Sequence, residues 1–415
     1  MIKKPRGTRD FTSEEMEKRN FIENNMRLTF QTFGYCEIQT PTFENLELFT
    51  AKSGDAIIDE LYSFTDKGGR NIALRPELTA PVIRFYVDKL QMEPKPLKFF
   101  YFGNCFRYDR PQKGRYREFK QAGCEIIGTD SAEAYSELIA MAYKILENTG
   151  LKNLELKIGN LDLLNSIFNQ FKLKKDQQKY LTPLIDKSMF EEVFEALIDF
   201  GVNNKDAANL TDLLQTSDIK EIEKYIIDED SKKEFIRFKE ILNFLEKSFE
   251  IKDYKISLAI VRGLDYYKGI VFEIDSPSLG AEKQICGGGA YELIPLFNGK
   301  NTPTAGFAIG FDRTILALEK QGYKFPTKQL DFFVIPFNKE LIKKSLEITK
   351  TLRKKGLFVD LDLLRRGLSK SLKYASSINA KKVIIVAPDE LKKDSVTIRD
   401  MGSGKQEIIK ISKLN

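Results

Sequence analysis

The chain contains no histidine and no tryptophan in 415 residues. The first absence is the more restrictive, because without an imidazole there is no Ser-His or Cys-His nucleophile and no histidine general base. Cysteine is scarce: Cys36, Cys105, Cys124 and Cys286 lie far apart, with no CxxC pair. That spacing is unsuited to a zinc site built from thiolates alone and fits reduced, structural thiols. Long apolar runs are missing as well. None approaches the roughly 20 residues of a membrane helix. The opening MIKKPRGTRDF has no apolar signal core, so a cytoplasmic location with no membrane partner is expected.

What is present describes a soluble globular protein, with 42% hydrophobic and 30% charged residues. The length gives a prior of two to three domains. The net charge of +6 is unevenly placed. From Asp331 to Asn415 there are 19 Lys and Arg against 10 Asp and Glu, leaving 47 against 50 in the residues before. A basic surplus confined to one end suits a polyanion, with nucleic acid as the leading candidate and a well-solvated lysine-rich domain as the alternative.

The most informative stretch is residues 99–128, FFYFGNCFRYDRPQKGRYREFKQAGCEIIG. Two apolar runs flank a loop holding Arg107, Asp109, Arg110, Lys113, Arg115 and Arg117, a pattern that predicts an antiparallel hairpin with a cationic turn. A guanidinium held by a strand can fork two hydrogen bonds onto a phosphate, and Arg107 sits within the frame Cys105, Phe106, Tyr108. On the return run a period of two puts Phe119, Gln121 and Glu125 on one face. An aromatic, an amide and a carboxylate in that row suit a nucleotide lying beside an amino-bearing ligand. A basic surface hairpin with a structural carboxylate is the plainer reading.

Elsewhere a helix is expected over 13–33, stopping at Gly34, and then a strand YCEIQTPTF interrupted by Pro41. Residues 61–66 and 71–75 form a hairpin turning at Gly68 and Gly69. It leads to Glu77 and Thr79 ahead of an amphipathic helix, where Glu77 is either a ligand carboxylate or a first-turn acid matched to the helix dipole. Residues 161 to about 250 repeat apolar positions at three and four, with little glycine and no G-x-G motif, and read as a helical insertion. The sheet pattern resumes in ISLAIVRGLDYYKGIVFEI, where Arg262, Asp265, Tyr266 and Tyr267 break two apolar strands. The run Cys286-Gly287-Gly288-Gly289 either lets backbone approach a ligand or makes a flexible turn. TPTAGFAIGFDRTILAL is a glycine-punctuated strand entering a helix, with Arg313 in its first turn. From Leu330 strands and helices alternate, which predicts a small α/β domain with a largely parallel sheet.

The strand ending in Pro41, the FRYD…GRYREF hairpin and GFAIGFDRTILAL resemble motifs 1, 2 and 3 of class II aminoacyl-tRNA synthetases. VRGLDYY at 261–267 and CGGGAYELI at 286–294 resemble the signatures of histidyl-tRNA synthetases, and the resemblance covers nearly the whole chain. It implies an α+β catalytic domain with a mostly antiparallel sheet at 1–160 and 251–328. A helical insertion at 161–250 and an α/β anticodon-binding domain at 329–415 complete the chain. It also implies a homodimer that uses ATP and Mg2+ to join L-histidine to tRNA(His).

Carried over residue by residue, the resemblance makes Arg107, Arg262 and Arg313 catalytic. ATP would be bound by Arg107, Arg115, Phe119 and Arg313, with Phe119 and Arg313 on either side of adenine. Histidine would be bound by Glu77, Thr79, Gln121, Glu125, Arg262, Tyr266 and Tyr267. Arg110, Gln112 and Lys113 are candidates for the tRNA acceptor end, and Arg365, Arg366, Lys370 and Lys373 for the anticodon stem. No metal-ligating side-chain motif accompanies them. Three positions depart from the family pattern: Ala290 and Glu292 after the glycine run, and Lys120 in the hairpin. The competing reading is a non-catalytic relative, either a regulatory subunit of histidine biosynthesis or a tRNA-binding protein. The regulatory relatives typically lack the C-terminal domain and lose motif arginines, whereas Arg107, Arg262 and Arg313 are all present; the tRNA-binding reading rests on Ala290 alone.

Overall fold

The computed structural model describes residues 2–53, 55–110, 114–261 and 267–414. They form two compact units, Met1–Phe325 and Pro326–Asn415.

The first unit begins with helix α1 (Ser13–Thr32), started by a reciprocal cap in which Thr12 N donates to the Glu15 carboxylate at 2.7 Å and Glu15 N donates to the Thr12 hydroxyl. It stops before Gly34, which has φ 78°. The strand expected to run through Pro41 is instead two short ones, β1 (Cys36–Glu37) and β2 (Phe43–Asn45), which join different sheets. The reason is local: proline lacks the donor that a continuous ladder needs, and the Pro41 carbonyl is turned to accept from the buried Arg75 guanidinium at 3.1 Å. Helix α2 (Glu47–Ser53) follows. Strands β3 (Ser63–Thr65) and β4 (Asn71–Leu74) then make the expected hairpin, with Gly69 at φ 78° and β2 on the far side of β4.

After helix α3 (Thr79–Phe85) come the long strands β5 (Leu97–Phe106) and β6 (Glu118–Ile127), helix α4 (Ala132–Asn148) and β7 (Glu155–Asn160). The apolar three-four pattern of the next block becomes six helices. They are α5 (Leu161–Gln170), α6 (Lys175–Asp186), α7 (Phe190–Asp199), α8 (Asn204–Gln215), α9 (Ile219–Glu223) and α10 (Glu229–Lys247). Strands β8 (Tyr254–Ile256), β9 (Tyr267–Asp275), β10 (Gln284–Tyr291) and β11 (Thr304–Gly310), then helix α11 (Phe311–Lys320), complete the unit.

Eight of these strands form one sheet in the order β1-β5-β6-β11-β10-β9-β7-β8. All inner ladders are antiparallel, and only the edge pairs β1–β5 and β7–β8 are parallel. The six helices thus enter between two neighbouring strands, and their buried residues are continuous with the sheet's core. Helix α1 lies on this sheet through Phe30, whose ring stacks on Phe100 at 4.9 Å and on Phe307 at 5.9 Å.

In the second unit, β12 (Leu330–Pro336), α12 (Ile342–Lys354), β13 (Val359–Leu361), α13 (Leu368–Ser377) and β14 (Ala380–Val386) alternate. The short helix α14 (Pro388–Leu391) precedes β15 (Ser395–Asp400) and β16 (Gln406–Lys410). Sheet order is β13-β12-β14-β15-β16, parallel for the first three strands and antiparallel for the last two. The α/β expectation holds, and the parallel portion is smaller than expected because β15 and β16 run antiparallel to their neighbours. Alternation divides the core: Val334 and Ile384 pack with Ile348 and Leu352 of α12, while Phe333 and Val383 pack with Ala375 of α13.

Phe30 and Phe100 are both wholly buried. Phe30→Ala is therefore expected to destabilise the protein by about 3–5 kcal/mol, measured by urea unfolding followed in the far-UV.

Candidate active site

The site is built on the β5–β6 hairpin. Register pairs Cys105 with Phe119, Gly103 with Gln121 and Phe99 with Glu125, so the odd-numbered residues of β6 share a face as alternation predicts. Just beyond β5, Arg107 is fixed by its own backbone, whose N–H donates to Arg117 O at 3.0 Å, and by Nε, which donates to Pro76 O at 3.0 Å. Its guanidinium carbon lies 5.3 Å from the centre of the Phe119 ring. Arg115 stands 3.5 Å from the Asp109 carboxylate. From the opposite side, Arg313 in the first turn of α11 donates to Gln284 O at 2.8 Å and pairs with Glu282 at 2.7 Å.

Together these residues enclose a cleft of about 330 Å3 lined by Arg107, Arg115, Tyr116, Phe119, Gln121 and Arg313, with Cys286 and Gly287 among the others. Burial pulls the Arg313 guanidinium below its ordinary range, Glu282 opposes the shift, and the charges of Arg115 and Arg107 add to it. Three cations that raise one another's energy make a site for an anion.

A second cluster lies in the sheet. Glu125 is 1% exposed. It accepts from the Tyr101 hydroxyl at 2.8 Å and the Tyr291 hydroxyl at 2.5 Å, and the Thr79 hydroxyl bonds the same carboxyl. Burial pushes its pKa up to about 8 despite these donors, with nearby Glu77 adding to the rise. Tyr267 packs edge-on against Tyr291 at 6.3 Å. Glu77 accepts from the backbone N–H groups of Thr79 at 2.6 Å and Ala80 at 3.1 Å, so it meets the start of α3 as a first-turn acid does.

The glycine run is a strand, not a flexible turn: Gly287, Gly288 and Gly289 lie in β10. A Cβ at Gly288 would come within 2.4 Å of Gly306 O. Of the departures from the family pattern, Ala290 is buried opposite Ala305 and Glu292 pairs with Lys268 at 3.0 Å, whereas Lys120 lines the cleft. Lys120 is bound to Glu23 and lies 5.1 Å from the centre of the Phe311 ring.

Of the expected site residues, Arg107, Arg115, Phe119, Gln121 and Arg313 come together in the cleft, while Glu125, Thr79 and Tyr267 meet at the tyrosine cluster. Gln121 accepts from the Cys105 thiol at 3.2 Å. Arg110 is exposed beyond β5. Arg262, Asp265, Tyr266, Gln112 and Lys113 lie outside the described residues. In the second unit Arg365, Lys370 and Lys373 are exposed, whereas Arg366 is tied to the buried Asp362 at 2.6 Å and lies over the Tyr374 ring at 4.0 Å.

Sequence reasoning passed over Tyr101, Tyr291, Tyr116 and Asp312. Alternation along β5 offered a signal for Tyr101. Nothing local marked Asp312, whose carboxylate accepts from Arg19 at 2.6 Å, Arg9 at 2.9 Å and Lys120 N at 2.9 Å.

An antiparallel sheet that carries opposed arginines across a nucleotide-sized cleft, beside a buried carboxyl, is the architecture of a class II synthetase catalytic domain. Residues 7–314 match the family described as Histidyl-tRNA synthetase, and residues 331–415 match the Anticodon binding domain. The chain is 44% identical to the histidine–tRNA ligase of Methanocaldococcus jannaschii over 423 residues, covering 100% of this chain and 99% of that one. Among solved structures, apo histidyl-tRNA synthetase of Staphylococcus aureus superposes with a TM-score of 0.75 at 29% identity, covering 100% and 98% of the two chains. A Bacillus halodurans protein described as an ATP phosphoribosyltransferase regulatory subunit/histidyl-tRNA synthetase gives 0.81 at 26%, covering 94% and 99%. The chain belongs to the histidyl-tRNA synthetase family.

The Glu125 carboxyl ordinarily titrates near 4.5 and in the fold near 8, so the folded protein holds a proton that the unfolded chain releases. The stability linked to that proton is full below about 4.5 and is lost as pH rises through about 8. Glu125→Gln is expected to gain Tm relative to the parent as pH is raised from about 6 to about 9, read by calorimetry across that series.

Proposed function

We propose that this chain is a histidine–tRNA ligase. It activates L-histidine with ATP to histidyl-adenylate and pyrophosphate, then transfers the histidyl group to the 3′ end of tRNA(His). The observation that carries the reading is the adjacency, on one sheet, of an arginine-lined cleft and a buried carboxyl held by two tyrosines. The first suits a nucleotide triphosphate and the second a small polar ring.

In the first step a carboxylate oxygen of histidine forms a bond to the α-phosphorus, and the bridging bond to the β-phosphate breaks to release pyrophosphate. The nucleophile is already ionised at pH 7, so no protein base is required, which agrees with a chain lacking imidazole. Catalysis rests on alignment and charge stabilisation. Arg107 would hold the α-phosphate, Phe119 and Arg313 the adenine, and Arg115 with Arg313 the outer phosphates, displacing Asp109 and Glu282. Arg262 would meet the substrate carboxylate and α-phosphate. Glu77, Thr79 and Gln121 would surround the α-ammonium group, and Glu125, Tyr266 and Tyr267 the imidazole.

Mg2+ would arrive with ATP and neutralise its phosphates. Phosphates, water and one or two carboxylates would hold the ion. Residues 161–250 form the inserted helical module and 329–415 the anticodon-binding domain, with Arg365, Lys370 and Lys373 offered to the stem and Arg110, Gln112 and Lys113 to the acceptor end. The working form is a cytoplasmic homodimer.

A regulatory relative is the weaker reading. The Bacillus halodurans protein carries both descriptions, so the shared fold does not separate them. The anticodon-binding match and the retained arginines favour the ligase.

Amino-acid-dependent ATP–pyrophosphate exchange, run across all twenty amino acids, is expected to proceed with histidine alone. Exchange with none of them would exclude the ligase.

The pH dependence has a stated sign. Histidine's imidazole titrates near ~6.5 and Glu125 in the free protein near 8. A complex that shares one proton between them forms best between these values. KM for histidine is therefore expected to be lowest near pH ~7 and to rise on both sides, and Glu125→Gln is expected to remove the alkaline rise while leaving the acid one.

A further inference from the structure

Residues 2–12 contain no helix or strand, yet they are held against the cleft. Arg117 N donates to Gly7 O at 3.0 Å, and Gly7 adopts φ 85° with Arg117 so close that a Cβ would meet its side chain at 2.7 Å. Two residues later Arg9 turns inward. Its guanidinium pairs with Asp312 at 2.9 Å and lies 3.5 Å from the centre of the Tyr116 ring. Phe11 flanks it at 5.0 Å, and Arg19 from α1 shares the same carboxylate oxygen at 2.6 Å. Among the described residues the buried Arg9 Nε has no hydrogen-bond partner, a cost that an ion pair made for stability alone does not require.

Two of the groups that Arg9 touches are chain neighbours of the cleft's cations. Tyr116 follows Arg115, and Asp312 precedes Arg313. One guanidinium thus spans from the phosphate-gripping hairpin to α11. Tyr116 itself lines the cleft, so its orientation sets part of the nucleotide wall.

We propose that Arg9 is a positioning residue for the ATP site: stacked on Tyr116 and paired with Asp312, it holds the hairpin's return limb against α11, so that Arg115 and Arg313 meet the nucleotide together. The inference rests on the ligase reading for its substrate. A planar guanidinium satisfies both contacts, whereas lysine keeps the charge near Asp312 but lacks the flat face.

The test is steady-state exchange with Mg-ATP and histidine varied separately, accompanied by Tm and by calorimetric titration with Mg-ATP alone. Arg9→Ala is expected to raise KM for ATP about fivefold or more while KM for histidine stays within about twofold. Arg9→Lys, which retains the charge facing Asp312, is expected to show most of the same rise and serves if the alanine variant does not fold. A wild-type KM for ATP in Arg9→Lys would overturn the proposal. So would equal rises in both KM values, which indicate general loosening, or a lower Tm with both KM values unmoved, which indicates a structural role only. Absence of histidine-dependent exchange in the parent would instead sink the ligase reading. In that case the titration with Mg-ATP alone still decides the clamp: an Arg9→Lys variant that binds as the parent does overturns it, and one that binds at least fivefold more weakly supports it.

Discussion

A carboxyl group buried in the middle of an antiparallel sheet needs room and donors, and both are supplied to Glu125 by residues chosen for size. Its register partner is Gly306, where a Cβ would stand 1.8 Å from Oε2. Gly123, two residues before it, leaves space for the Tyr101 hydroxyl, which a Cβ would meet at 2.7 Å. Gly288 allows β10 to approach β11, so that Tyr291 at the end of the same strand reaches the carboxyl. The glycines of three adjacent strands therefore answer to one side chain. The requirement is steric: a larger residue at Gly306 would have to displace the oxygen that Tyr291 holds, on a carboxyl whose other oxygen is held by Tyr101.

Charge in the neighbouring cleft obeys a related logic. Arg107, Arg115 and Arg313 face one space, and each is held by something a ligand can replace or leave alone: a carbonyl for Arg107, Asp109 for Arg115, Glu282 for Arg313. On the proposed reading such pre-aligned cations would need little rearrangement to meet a phosphate, which is how electrostatic stabilisation acts in phosphoryl chemistry. Asp312 is the organising anion. It lies next to Arg313 but is occupied by Arg9, Arg19 and the backbone of Lys120, so it anchors the helix without neutralising the cleft.

Much of this was legible in the sequence where the signal is periodic. Alternation placed Phe119, Gln121 and Glu125 on one face, and the cationic turn marked the hairpin. The three-four repeats gave the helical block, and the charge surplus set the last unit apart. What was not legible is non-local. Arg19 and Asp312 are 293 residues apart, and no spacing rule joins them. The glycines of β10 were open to reading as a turn because glycine commonly punctuates chains. Their role is fixed by what stands across the ladder, in β11 and β9. Pro41 was recognised as an interruption, but nothing in the run itself announced the buried Arg75 guanidinium, which donates to the Thr40 and Pro41 carbonyls between the two strands.

The histidine-free scaffold has a consequence for observation. An imidazole ring is among the few side chains whose nuclei report protonation and tautomer directly, and in most enzymes the protein's own rings crowd the same spectral window. Here every imidazole resonance in a complex belongs to the bound amino acid or its adenylate. The chain contributes no imidazole signal of its own, so the bound histidine's ring can be followed through the reaction cycle even when the protein is labelled as fully as the substrate.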